Sequence, residues 1–296
     1  MKSIKIFALA TLALAACNKT EKAYDATGTF EATETTVYAE QTGQLMTLNA
    51  EEGTELTAGT EVALVDTTQF ALKIRQLQAG KRVLSAQKPD IQAQIAATRQ
   101  QLAKAQLEQR RYRELVNDGA APSKTLDDAT SQVQELQKQL DAQLSALNTQ
   151  TRTLDTQAVA TDTQIDQLLD QIDKCHIAAP LTGTVLEKYV ERGEFVTAGK
   201  PLFKMADTQH MLIRAYLTSA QLKEVKIGQS VQVMADYGAG QKKTYQGTIT
   251  WISSRAEFTP KTILTDDERA DLVYAVKIAV PNDGYLKIGM YGEVKF

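Results

Sequence analysis

The stretch "EEGTELTAG", Glu51 to Gly59, returns 140 residues later as "ERGEFVTAG", Glu191 to Gly199. The match reaches upstream at the same offset, where Ala39, Thr42 and Gly43 recur as Ala179, Thr182 and Gly183. Each copy reads as a short strand, a glycine turn, a strand, a second glycine turn and an apolar strand, "EVALVD" in one and "PLFKMAD" in the other. One such unit is too small to bury a core. Two copies related by a pseudo-twofold axis make a small β-sandwich, provided the intervening chain comes back to where it left.

Residues 69 to 174 supply that return. They are rich in Gln, Ala, Leu, Lys and Asp and hold only Gly80 and Gly119 as glycines, a helix-forming composition. Leu126, Val133, Leu140, Leu147, Leu154, Thr161 and Leu168 form a seven-residue series, with Leu144, Ala158, Ile165 and Ile172 in a second row. An earlier series matches it: Phe70, Leu77, Leu84, Ile91, Thr98, Ala105 and Tyr112, beside Ile74, Ile95, Leu102 and Val116. That spacing lays a narrow apolar seam on each helix and demands a partner helix. Between the series, "VNDGAAPSKTLDDA" carries Gly119 as a helix stop and Pro122 as a helix start. The arms, about 69–116 and 123–174, are nearly equal, which predicts an antiparallel hairpin reaching roughly 70 Å at ~1.5 Å per residue. Pro89 predicts an interruption of the first arm, giving either a kinked rod or a folded-back bundle.

The N-terminus, "MKSIKIFALATLALAAC", has Lys2 and Lys5, an apolar run and small residues before Cys17. This order describes a secretory signal, and "LAAC" resembles the lipobox of bacterial lipoproteins. That resemblance implies cleavage before Cys17, acylation of its thiol and an exported, membrane-tethered protein. Loss of the two lysines takes the net charge from −3 to −5. A chain this acidic lacks the basic footprint of a nucleic-acid binder. With Cys17 lipidated, Cys175 has no disulfide partner and reads as a packed small residue. Two histidines, His176 and His210, and no cysteine cluster argue against a zinc or copper site. "TDDER", Thr265 to Arg269, reads as an exposed charge cluster, "GAG" at Gly238 lacks a phosphate-loop context, and Trp251 reads as barrel packing.

In the tail, Met211, Ile213, Ala215 and Leu217 alternate with polar neighbours like a half-buried strand. Thr218 and Ser219 can cap a short helix, Gly228 turns the chain, and short strands follow, as in a small barrel or sandwich.

"APLTGTVLEKYVERGEFVTAGKPLFKMAD", "IGQSVQV", "GTITWISSRAEFTPKTILTDDERADLVYAVKIAV" and "LKIGMYGEV" together resemble the HlyD-type membrane fusion proteins, periplasmic adaptors of bacterial export pumps. The resemblance implies an α+β fold: a long coiled-coil hairpin inserted between two halves of a lipoyl-like β-sandwich, followed by a β-barrel domain. The expected division is 1–16 signal peptide, 17–36 tether and strand, 37–68 first lipoyl-like half, 69–174 hairpin, 175–208 second half and 209–296 barrel. A further membrane-proximal domain is expected to be absent, or reduced to pairing with residues 24–37. The "AEFTPK" and "LVYAVKI" text is similar to the branch that works with ABC-type exporters. The resemblance further implies an inner-membrane transporter, a TolC-like outer-membrane channel, self-assembly as trimer or hexamer, and no cofactor. The family's tip pattern falls on Arg111, Leu115, Leu126 and Asp127, with Pro122 where the family has serine and Ser123 one residue on. Those four residues are the expected channel contacts.

A biotin or lipoyl carrier is the main rival from another class. A carrier presents a lysine at the tight hairpin between its halves, and here the helical insertion after Asp66 occupies that point. Other readings are an adaptor of a proton-driven RND-type pump, and a lipid-anchored spacer with no pump.

Overall fold

The structure, a computed structural model, describes residues 24–238, 241–258 and 272–296. The signal sequence, Cys17 and the Thr265–Arg269 charge cluster lie outside these residues.

The two glycine-turn copies fold as one body. Gly53 and Gly193 both adopt positive φ, 83° and 93°, which an L side chain resists. Their amides cross to the opposite copy: Gly53 N donates to Val185 O at 2.9 Å, and Gly193 N to Leu45 O at 2.8 Å. The second turns repeat the exchange, Gly59 N to Ala179 O and Gly199 N to Ala39 O, both at 2.8 Å. Side chains obey the same symmetry, since Thr182 Oγ1 accepts from Ala58 N and Thr42 Oγ1 from Ala198 N, each at 3.1 Å. So does the core. Leu45, Ala50, Leu56, Val62 and Val65 pack against Val185, Val190, Val196, Leu202 and Met205, each 140 residues from its counterpart. Strands β2 (Gly43–Leu48), β4 (Glu61–Val65), β5 (His176–Ala178) and β7 (Phe195–Val196) form one sheet, in the order β5-β4-β2-β7. On the other side, β3 (Glu55–Leu56) pairs with β6 (Gly183–Lys188), and β6 with the start of β8 (Pro201–Thr218).

The symmetry also sets where the chain leaves. The first copy runs from Val65 into helix α1 (Thr68–Ala86); the second runs from its counterpart Met205 along β8 into the barrel. The exits lie at opposite ends of the sandwich: Asp66 and Phe70, where the hairpin begins, sit beside the Gly193 turn, and Thr208, where β8 leaves for the barrel, sits beside the Gly53 turn.

The barrel is closed. Its strand order is β1-β12-β9-β10-β11-β8, and β1 also pairs with β8. The remaining staves are β1 (Ala26–Tyr38), β9 (Ser230–Gly238), β10 (Gln241–Phe258), β11 (Leu272–Pro281) and β12 (Tyr291–Lys295). Phe30, Ile213, Leu217, Val233, Ile249, Ile278 and Val294 fill the interior. Residues 26–31, read from sequence as a tether and strand, are therefore a barrel stave. β1 and β8 then run on together into the sandwich, with a register shift between Glu31 and Thr33 at the junction. At the end of β8, Gln221 Oε1 accepts from the amide (3.0 Å) and the hydroxyl (2.9 Å) of Thr218, fixing the short helix α4 (Ser219–Leu222).

The hairpin has three long helices rather than two. The first arm is α1 and α2 (Ile91–Asn117); the second is one 51-residue helix, α3 (Ser123–Asp173). Both first-arm helices pack against α3, so the arm continues past Pro89 and does not fold back. The cross-pairs Lys81–Asp162, Lys88–Asp155, Thr98–Gln143 and Gln109–Thr130 descend one arm as they climb the other, as antiparallel register requires. Ile95, Leu102 and Leu140 form the buried cluster of the seam, with Ile91, Val133, Leu136, Leu144 and Leu147 around it.

Candidate functional site

The hairpin tip is built by two helix ends. Gly119 takes φ 73° after α2; its amide donates to Val116 O at 3.0 Å, and Ala120 N donates to Leu115 O at 2.7 Å. Those two bonds satisfy carbonyls that the helix end would leave open. Pro122 then stands in extended conformation, φ −69° and ψ 144°, as the cap of α3 and not its first helical residue. Ser123 is the first helical residue and is exposed. Thr125 Oγ1 donates back to Pro122 O at 2.6 Å, tightening the first turn.

On this frame, Leu115 and Asp127 are exposed, and Arg111 is 60% exposed at its side chain. Leu126 is half-buried, as its place in the seam requires. Arg111 Nη1 donates to Glu108 Oε1 at 2.9 Å on its own helix, so its carboxylate partner is not Asp127. Just below, a groove of about 430 Å³ opens beside Ala105 and Ala129, edged by Lys104, Glu108, Tyr112 and Asp128. The sequence reading missed this groove. Its signal was Ala105 in the apolar series, where a small side chain leaves the seam thin.

A larger cleft, about 850 Å³, lies between sandwich and barrel. Several of its polar groups bond to one another. Thr184 Oγ1 meets Thr208 Oγ1 at 2.7 Å, and Asn282 Nδ2 donates to Thr208 O at 2.8 Å and Leu286 O at 3.0 Å. Asp283 pairs with Lys243 and accepts from Tyr245 Oη at 3.0 Å; the lysine beside it holds its carboxyl below the ordinary aspartate value. Such contacts brace the junction between sandwich and barrel.

Both histidines are also paired. His176 Nδ1 lies 3.0 Å from Glu61 Oε2, and His210 Nδ1 2.9 Å from Asp207 Oδ2. Among the described residues no three His, Cys, Asp or Glu side chains converge as metal ligands. Cys175 is buried and its Sγ lies 3.2 Å from Gln171 O; burial pushes its thiol pKa up, away from nucleophilic chemistry. At the point where a carrier would present its lysine, Asp66 Oδ1 instead accepts from Thr68 N at 2.9 Å and Thr68 Oγ1 at 2.6 Å, opening the first helix. Trp251 departs from its expected packing: it is 40% exposed on the barrel, with the Lys277 ammonium 5.8 Å from its ring centre. No described helix is long and apolar enough to cross a membrane.

The profile of the RND MFP barrel-sandwich hybrid domain matches residues 33–208. The UPF0194 membrane protein YbhG of Salmonella gallinarum is 37% identical over 121 residues, 40% of this chain and 36% of that protein. The alignment thus spans about a third of that relative. The crystal structure of MacA from Actinobacillus actinomycetemcomitans superposes with a TM-score of 0.54 at 22% identity, over 91% of this chain and 76% of that one. A MacA–MexA chimera carrying the Pseudomonas aeruginosa MexA α-hairpin gives 0.51 at 22%, covering 91% of this chain and 79% of the chimera. Sandwich halves split by a hairpin and followed by a closed barrel are the shared architecture, and the chain belongs to the membrane fusion protein family.

Proposed function

We propose that this protein is a non-catalytic periplasmic adaptor that bridges an inner-membrane exporter and a TolC-like outer-membrane channel for export of small molecules. The observation that carries this reading is the opposed placement of hairpin and barrel on one symmetric sandwich. A 51-residue helix at ~1.5 Å per residue spans about 75 Å. A rod of that reach with a capped, exposed tip suits contact with a channel, while the barrel end lies toward the strand that leads back to Cys17. Lipid on Cys17 would hold that end at the inner membrane, and several copies, three or six, would surround the conduit. Arg111, Leu115, Leu126 and Asp127 are the tip residues assigned to the channel.

An ABC-type transporter is the partner favoured by the tail sequence. The description of the matching domain names RND pumps instead, which keeps a proton-driven partner as the second reading. Co-purification of the full lipoprotein separates the two by which transporter comes with it. The bridging role is tested with Arg111→Glu and Leu115→Asp. Both side chains are exposed, so the fold should hold, while export and channel co-purification should fall at least tenfold. Full export by both variants would favour a pump-independent spacer.

A further inference from the structure

Two independent features meet at one level of the hairpin. In the first arm the helix is interrupted between Ala86 and Ile91, around Pro89. Asp90, extended at ψ 97°, restarts it by accepting from Ala93 N at 3.1 Å. The ion pairs Lys88–Asp155 (2.5 Å) and Lys81–Asp162 (2.6 Å) locate the facing part of α3. That part is threonine-rich, "TQTRTLDTQAVATDT" from Thr149 to Thr163. The hydroxyls of Thr151, Thr153, Thr156, Thr161 and Thr163 each donate to the carbonyl four residues earlier, at 2.9–3.2 Å. A hydroxyl on an i−4 carbonyl competes with the helical amide for that acceptor and eases bending.

Packing points the same way. The buried cluster of Ile95, Leu102 and Leu140 lies on the tip side of the break. At the break Leu154 is the buried seam residue, 9% exposed, and beyond it the arms are tied by ion pairs whose side chains are 40–52% exposed, which are weak and screened by salt.

We propose that the hairpin carries a joint at this level, a stiff distal rod turning on the proximal segment. Pro89 removes the ladder from one arm, and the threonine band softens the other. The tip-side helix of 27 residues is about 40 Å long at ~1.5 Å per residue. A bend of about 20° therefore swings the tip by roughly 14 Å, more than a helix diameter. The joint would let one membrane-tethered rod meet a partner whose distance and tilt vary.

Paired spin labels on the full chain in nanodiscs test this, with Cys175→Ser as background. Gln78 and Arg110, both exposed, span the joint, about 48 Å apart at ~1.5 Å per residue. Gln92 and Asn117 lie on the distal rod as the internal control. The spanning distribution should be about twice as broad as the control, broaden further in high salt, and narrow to the control width when Pro89→Ala is combined with Thr151→Ala, Thr153→Ala and Thr156→Ala. A wild-type spanning distribution as narrow as the control would overturn the joint, as would a width unchanged by the fourfold substitution. Neither outcome bears on whether the tip engages a channel, so failure here is distinct from failure of the adaptor reading.

Discussion

Gly53 and Gly193 do the same work on two sides of one axis, and their φ values of 83° and 93° put both where a β-carbon is strained. Neither would meet a neighbouring atom, so the cost of substitution is backbone strain alone. Gly53→Ala and Gly193→Ala should each cost about 1–2 kcal/mol and to the same extent, while asparagine at either site costs less. Denaturant unfolding of the four single variants checks this; unequal alanine costs would contradict the symmetry. Lys188 shows what the repeat does with charge. Its ammonium lies 3.1 Å from Glu51 and 3.0 Å from Glu191, the paired glutamates of the two copies. Hydrogen bonds to Glu191 and then Glu51 raise the lysine above its ordinary 10.5. A raised folded-state lysine stabilises fully below the unfolded value and loses that contribution as pH climbs through the folded one. Alkaline destabilisation should thus be shallower in Glu51→Gln/Glu191→Gln than in wild type, measured as unfolding midpoint against pH above 10.5.

At the level of the element, the hairpin shows how far a seven-residue pattern can be trusted. Phe70, Leu77, Leu84, Val133, Leu147 and Leu168 are all half-buried or better, while Tyr112, last in its series, is 37% exposed. The seam frays toward the tip, where alanines replace leucines. Leu140 sits at its tightest point, 8% exposed against Ile95 and Leu102. Leu140→Lys forfeits about 1.5–3 kcal/mol of burial and places a charge in the seam. Faster amide exchange over α2 and the middle of α3 should follow, with the sandwich unaffected. Unchanged exchange would mean the arms do not rely on this contact. The split of the first arm at Pro89 was legible from sequence, because a missing amide breaks a helix in any context. Whether the arm then doubled back was not: that depended on both pieces finding α3.

For the whole molecule, the proposed lipid tether has the widest consequence. Cys17 is expected to carry lipid, and Cys17→Ala should move the protein from the membrane pellet to the soluble fraction at high salt. A variant that still pellets would show that another part of the chain holds the membrane. The barrel imposes a different dependence. Because β1 closes it between β12 and β8, removal of residues 24–31 should unfold the barrel while leaving the hairpin helical, visible as loss of β signal with α signal retained.

The sandwich pairing and the antiparallel helical hairpin were decided by sequence alone, since a constant-offset glycine repeat and a heptad seam are strong patterns; the hairpin's full length waited on both pieces of the first arm finding α3. Closure of the barrel by residues 26–31, the outward Trp251, and the pairing of Lys81 with Asp162 and Lys88 with Asp155 across the arms were settled only by the tertiary fold. Those depend on which strand edges and charges meet across the chain, and alternation or spacing along one strand or helix does not say what lies opposite.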